Sequence, residues 1–168
     1  MQKRIFLLRS ARGRGSDETS LLDYHRPLTR RGESAAISMG KLMLKKGYTP
    51  DIVICATPAR ARQTLAYIWP SLLRKPHLIH DDKLHMMRGD EMLARLQQAD
   101  PAYHRLLVVG KTPGITELAR LLYRPPSSGA SSPFTAEMAP CALAVFECEL
   151  GSWAELTPAC GGLIGIET

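Results

Sequence analysis

The feature that most constrains this chain is a unit that occurs three times: a short, strongly apolar run, a turn, and a segment of helical periodicity. The runs are Ile5 to Leu8, Asp51 to Ala56 (DIVICA) and Leu106 to Gly110 (LLVVG). Apolar runs of this length without polar alternation fit strands covered on both faces, and strands that alternate with helices form a mostly parallel sheet. Each unit also carries a basic residue near the carboxyl end of its strand: Arg9, Arg60 just inside the following helix, and Lys111. Ligands of open α/β sheets bind outside the carboxyl ends of the strands, so these cations predict an anion site. The 168 residues, 45% of them hydrophobic, suffice for one core without disulfides or metal. The expected architecture is one α/β domain over residues 1–168, a three-layer sandwich with a mostly parallel sheet and helices on both faces.

The remaining elements follow from pattern. A helix is predicted from Thr29, its N-cap, to Lys46, with Gly47 ending it and Ala35, Met39, Leu42, Met43 and the stem of Lys46 turned inward. Thr57 and Pro58 supply a cap and a first-turn proline for a helix that runs to Trp69, where Pro70 breaks it. His77 to His80 reads as a short strand, and Gly89 to Ala99 as a helix with Met92, Leu93 and Leu96 inward. The helix after the turn 111–114 places Ile115, Leu118, Ala119 and Leu122 on one side. Cys141 to Leu150 alternates as a strand, and Trp153 to Leu156 predicts a final edge strand pairing with it as a hairpin. Between them, PPSSGASSP at 125–133 is a flexible loop and a candidate lid. The stretch RGRGSDETS after the first strand reads as a loop from which Arg12 and Arg14 could reach an anion.

Composition removes several classes of function. The net charge of +6 raises nucleic acid as a partner, but the cations are scattered and the aromatic residues are not interleaved with them as a stacking platform requires. The run Ile5 to Leu8 is too short for a signal-peptide core or a membrane span, so a soluble, cytoplasmic chain without a membrane partner is expected. Cys55, Cys141, Cys148 and Cys160 show no metal-binding spacing and read as reduced thiols. His77, His80 and His85 lack a carboxylate at ligand spacing, so neither metal nor cofactor is expected.

Four stretches carry a family resemblance: Arg9-Ser10-Ala11, DYHRPLTRRG at 23–32, ATPARARQT at 56–64 and LLVVGKTPG at 106–114. In this order and at these separations they resemble the histidine phosphatase superfamily, with its phosphoglycerate-mutase-like fold, and within it the short SixA-type phosphohistidine phosphatases. The resemblance spans nearly the whole chain. It implies a nucleophilic histidine after the first arginine, where this chain has Ser10, and a second histidine in a Gly-His-Asn-Pro-Gly-like turn, where it has Lys111. Arg9 and Arg60 match the family's phosphate-binding arginines, whereas Arg62 falls on a variable position and reads as surface. His25 stands near the expected pocket mouth, and His85 occupies a position usually aromatic in the family.

The resemblance therefore implies a pseudophosphatase that keeps a pocket of Arg9, Ser10, Arg60 and Lys111 for phosphate or a phosphorylated ligand such as a phosphoprotein, and acts as a binding or regulatory module. The alternative is an active phosphoric monoester or phosphohistidine hydrolase in which Lys111 activates Ser10, or in which His25 or His85 takes over. A third reading, an interaction protein with a vestigial pocket, is disfavoured by the cost of burying cations without an anion.

Overall fold

The computed structural model of the chain describes residues 1–15 and 20–168. Six strands form one mixed sheet: β1 (Gln2–Arg9), β2 (Ile52–Ala56), β3 (His77–Asp81), β4 (Arg105–Gly110), β5 (Leu143–Glu149) and β6 (Gly162–Glu167), in the spatial order β3-β2-β4-β1-β5-β6. The pairs β3/β2, β2/β4 and β4/β1 are parallel, and β1/β5 and β5/β6 are antiparallel. The three apolar runs occupy the adjacent strands β2, β4 and β1, and Ile5 to Leu8, Val53 to Cys55 and Leu106 to Val109 are fully buried. The pattern expected of strands covered on both faces is what the sheet shows.

Five helices accompany the sheet among the described residues: α1 (Ser20–His25), α2 (Arg30–Lys46), α3 (Ala59–Ile68), α4 (Gly89–Gln97) and α5 (Gly114–Leu122). The order β1, β2, β3 moves outward in one direction, and the step from β3 back to β4 reverses it. Right-handed crossovers then set α2 and α3 on one face and α4 on the other, where α5 packs against it. The chain leaves β1 toward one face and β4 toward the other, so the carboxyl ends of these neighbouring strands flank a crevice.

Thr29 caps α2 as predicted, its hydroxyl accepting from Gly32 N at 3.0 Å, and Gly47 ends the helix in the left-handed conformation at φ 70°. The buried face differs from the predicted one: Gly32, Ala36, Met39, Gly40 and Met43 point inward, while Ala35 and Lys46 are exposed. The glycines are the reason, because their bare surface lets α2 approach its neighbours, and a hydrophobicity pattern does not count them. At the start of α3 the predicted cap does not form. Pro58 stands at the N-cap, and the buried Thr57 hydroxyl has no partner among the described residues.

The predicted strand at 153–156 is a 3-10 turn instead, and β6 takes the edge. Trp153 is fully buried there, its indole N–H donating to Tyr103 O at 3.0 Å. Lys3, also fully buried, donates to Pro101 O at 2.9 Å and Tyr103 O at 2.8 Å, with its ammonium 5.0 Å from the Trp153 ring centre. A capping box between Ser152 and Glu155 closes the turn locally. No helix of the described residues is long and apolar enough to cross a membrane.

Candidate functional site

A cleft of about 480 Å³ opens at the crevice between the ends of β1 and β4. Ser10 follows β1 directly and is 7% exposed; its N–H donates to Gly110 O at 2.8 Å, which ties the end of β1 to the end of β4. Lys111 leaves β4 at that point, and Ile115 N donates to its carbonyl at 3.0 Å as α5 begins. All four predicted site residues, Arg9, Ser10, Arg60 and Lys111, line this cleft. The parallel β1/β4 ladder and the packing of α3 bring them together.

The R-A-x-Q-T stretch holds the cleft together through residues beyond its arginine. Thr64 Oγ1 accepts from Ala11 N at 2.9 Å and donates to Arg60 O at 2.7 Å, so one hydroxyl joins the loop after β1 to the first turn of α3. Gln63 Oε1 accepts from Leu28 N at 2.8 Å, tying the start of α2 to the same helix. Gly13 lies against the stem of Arg60, where a β-carbon would collide with Cδ. The guanidinium thus reaches the cleft over a residue without a side chain. Of the residues of α3, Arg60 alone lines the cleft.

Two lining residues carry weight that sequence reasoning missed. Asp23 accepts from Arg60 Nη2 through both carboxylate oxygens, at 3.0 and 2.9 Å, and also pairs with Arg26. Arg26 in turn donates to the carbonyls of Arg14 and Gly15, fastening the loop after β1. The signal was present in the D-x-x-R spacing at 23–26, which sets both side chains on the same turn of chain. Arg60 Nε and Arg26 Nε are buried and without a partner among the described residues.

Among the described residues the lining therefore sets the cations Arg9, Arg12, Arg26, Arg60 and Lys111 against the single carboxylate of Asp23. Burial lowers the pKa of Arg60, with the charge of Arg26 adding to the effect, and burial and then Arg60 lower that of Lys111. Arg9 is also lowered, chiefly by burial and against the opposing pull of Glu137. The arginines stay charged at any physiological pH.

The other expected residues are placed elsewhere. Arg12 lines the cleft, but Arg14 turns back to Leu28 O at 3.3 Å. Arg62 is exposed, in line with its reading as surface. His25 is exposed and His85 half-buried, each edge-on to Tyr24 at 5.2 and 5.6 Å between ring centres, and neither lines the cleft. The candidate lid at 125–133 does not line it either; Pro140 does, and Met138 O accepts from Arg9 Nη1. Residues 16–19 of the predicted loop after β1 lie outside the described residues.

No protein-family model matches the chain. An uncharacterised chloroplastic protein of Arabidopsis thaliana is 32% identical over 65 residues, 39% of this chain, and the match spans only 29% of that relative's length. An uncharacterised protein of Mycobacterium tuberculosis is 26% identical over 147 residues, covering 86% of this chain and 90% of the relative. A structure named for the phosphohistidine phosphatase SixA of Nakamurella multipartitia superimposes with a TM-score of 0.83 at 29% identity, over 100% of this chain and 96% of that one. A protein histidine phosphatase SixA complexed with tungstate superimposes with a TM-score of 0.75 at 19% identity, over 97% of this chain and 95% of that one. The chain has the phosphoglycerate-mutase-like fold of these SixA structures, and the likeness supports the histidine phosphatase superfamily and its SixA branch.

Proposed function

We propose that this protein is a SixA-like pseudophosphatase: a module that holds phosphate, or a phosphorylated group on a partner protein, in the Arg9–Arg60–Lys111 cleft and does not hydrolyse it. The observation that carries the reading is the convergence of those three cations with Ser10 at the ends of β1 and β4. Phosphoryl transfer in this fold depends on in-line attack by an imidazole. Here a neutral hydroxyl stands at that position, and loss of an essential nucleophile costs ~10⁶ in rate where it has been measured in a hydrolase. Oxyanion binding asks for less: guanidinium donors and a cation in a partly desolvated cleft. Lys111 supplies a charge where an imidazole would titrate. The tungstate held by one SixA structure is a phosphate analogue, which supports an oxyanion as the ligand of this fold.

One observation favours an enzyme instead. The lowered pKa of Lys111 suits a base for Ser10, with which it shares the cleft. The same deprotonation would remove a charge from the phosphate, so the two roles oppose each other.

The test is thermal unfolding with phosphate or vanadate, alongside hydrolysis of p-nitrophenyl phosphate. A ligand that binds only the folded state adds RT ln(1 + [L]/Kd), about 2.7 kcal/mol at ~100 Kd. Arg9→Ala and Arg60→Ala should each weaken the anion roughly tenfold or more, since a hydrogen bond to a charged group contributes about 1.5–3 kcal/mol. Stabilisation that ignores both arginines would place the anion elsewhere. Hydrolysis abolished by Ser10→Ala would replace this reading with the serine-lysine enzyme.

A further inference from the structure

The four thiols fall into two classes. Burial pushes Cys55 up to about 12 and Cys141 up to about 11, which keeps both protonated and inert. Cys148 and Cys160 lie together, their sulfurs 3.8 Å apart in a thiol-to-thiol hydrogen bond. The fold brings them there. Glu147 on β5 faces Gly162 on β6, so Cys148 and Cys160 sit just beyond the last pair of this antiparallel ladder, where the strands diverge into residues 149–159. Cys148 is 1% exposed and Cys160 half-buried, so solvent reaches the pair from the side of Cys160.

We propose that Cys148 and Cys160 form a peroxide-responsive dithiol that closes to an intrachain disulfide. Geometry carries this, because sulfurs already in contact need only a small side-chain adjustment to bond. Their unequal burial distinguishes the two thiols. Cys160 is held below the ordinary thiol range, first by the hydrogen bond with Cys148 and also by Arg124, whose guanidinium donates to Cys160 O at 3.3 Å. Cys148 is pushed upward by that same hydrogen bond and by its burial. Cys160, the member of the pair that solvent reaches, is the attacking sulfur, and the buried Cys148 is the resolving one.

The chemistry balances with hydrogen peroxide as oxidant. The Cys160 thiolate attacks one peroxide oxygen, the O–O bond breaks, and hydroxide leaves as Cys160 becomes a sulfenic acid. Cys148 then attacks the Cys160 sulfur, the S–O bond breaks, and the Cys148 proton departs with the hydroxyl as water. The proton that Cys160 released on ionising converts the hydroxide to the second water, so two thiols are oxidised and one peroxide is reduced to two waters.

The bond would staple the segment that carries the buried Trp153 turn. Cys148 faces Lys3 at the amino end of β1, whereas Leu143 faces Leu8 near the cleft. Five residues of strand separate the two ends, about 17 Å. The dithiol is thus independent of the proposed anion site.

The experiment treats reduced full-length protein with equimolar hydrogen peroxide, counts free thiols after denaturation and maps peptides without reduction. The expected result is loss of two of the four thiols, a crosslinked Cys148–Cys160 peptide from monomeric protein, and reversal by dithiothreitol. Cys160→Ser should abolish the loss and Cys55→Ser should leave it. Four surviving thiols, oxidation at Cys55 or Cys141, or a link found only between chains would overturn the proposal, and the wild-type map decides this even where a variant does not fold.

Discussion

On the proposed function, Asp23 sets how much of the cleft's charge an anion can use. Its carboxylate occupies donors of Arg60 and pairs with Arg26, so a bound oxyanion must share those guanidinium groups with a neighbouring negative charge. A unit charge about 5 Å from a dianion costs roughly 1–2 kcal/mol at high effective dielectric. Asp23→Asn, which keeps the shape, should therefore tighten phosphate binding about tenfold, read by calorimetric titration. Weaker binding would mean that positioning Arg26 and Arg60 outweighs the repulsion. Arg9, Arg60 and Lys111 were legible in the sequence because each stands at or just beyond the end of a strand of unmistakable apolar character. Asp23 was legible only as part of a motif. Its partners lie on another helix, and no local pattern announces an ion pair to Arg60, thirty-seven residues away.

Among the elements, the Trp153 turn shows where pattern reading loses to tertiary packing. A bulky aromatic near a strand predicts pairing, yet the buried Lys3 and the Tyr103 carbonyl give Trp153 a better environment than a sheet edge. Trp153→Phe keeps much of the packing but leaves the Tyr103 carbonyl without its donor. It should cost about 1–3 kcal/mol, read by denaturant unfolding; no change would mean that the hydrogen bond contributes nothing net. A second tie joins β3 to α4, where Arg95 Nε donates to Asp81 at 2.8 Å. Burial alone would raise the Asp81 carboxyl, but Arg95 and the Lys83 N–H outweigh it and the pKa is lowered from 3.8. The unfolded chain then binds the proton at higher pH than the folded one. The stabilisation is complete above the unfolded value and is lost as pH falls through the folded value. Arg95→Gln should destabilise by about 1 kcal/mol at neutral pH, with the difference vanishing in strong acid. A constant difference across that range would show that the ion pair is not its source.

Over the whole molecule, the cleft follows from topology: neighbouring parallel strands whose chains depart to opposite faces leave their carboxyl ends open. That crevice was predictable from the three strand-turn-helix units. The short helix α1 and the true edge strand β6 were not, because α1 is only six residues long and four of the six residues of β6 are glycine or exposed. The central claim is that the cleft binds a phosphoryl group without cleaving it. Phosphorus NMR of a phosphohistidine peptide mixed with the protein reads both halves of the claim in one sample. The predicted result is a shifted or broadened phosphohistidine resonance, reversed by vanadate, with no growth of inorganic phosphate beyond a protein-free control. An unperturbed resonance, or inorganic phosphate that accumulates with the protein and ceases with Ser10→Ala, would contradict it.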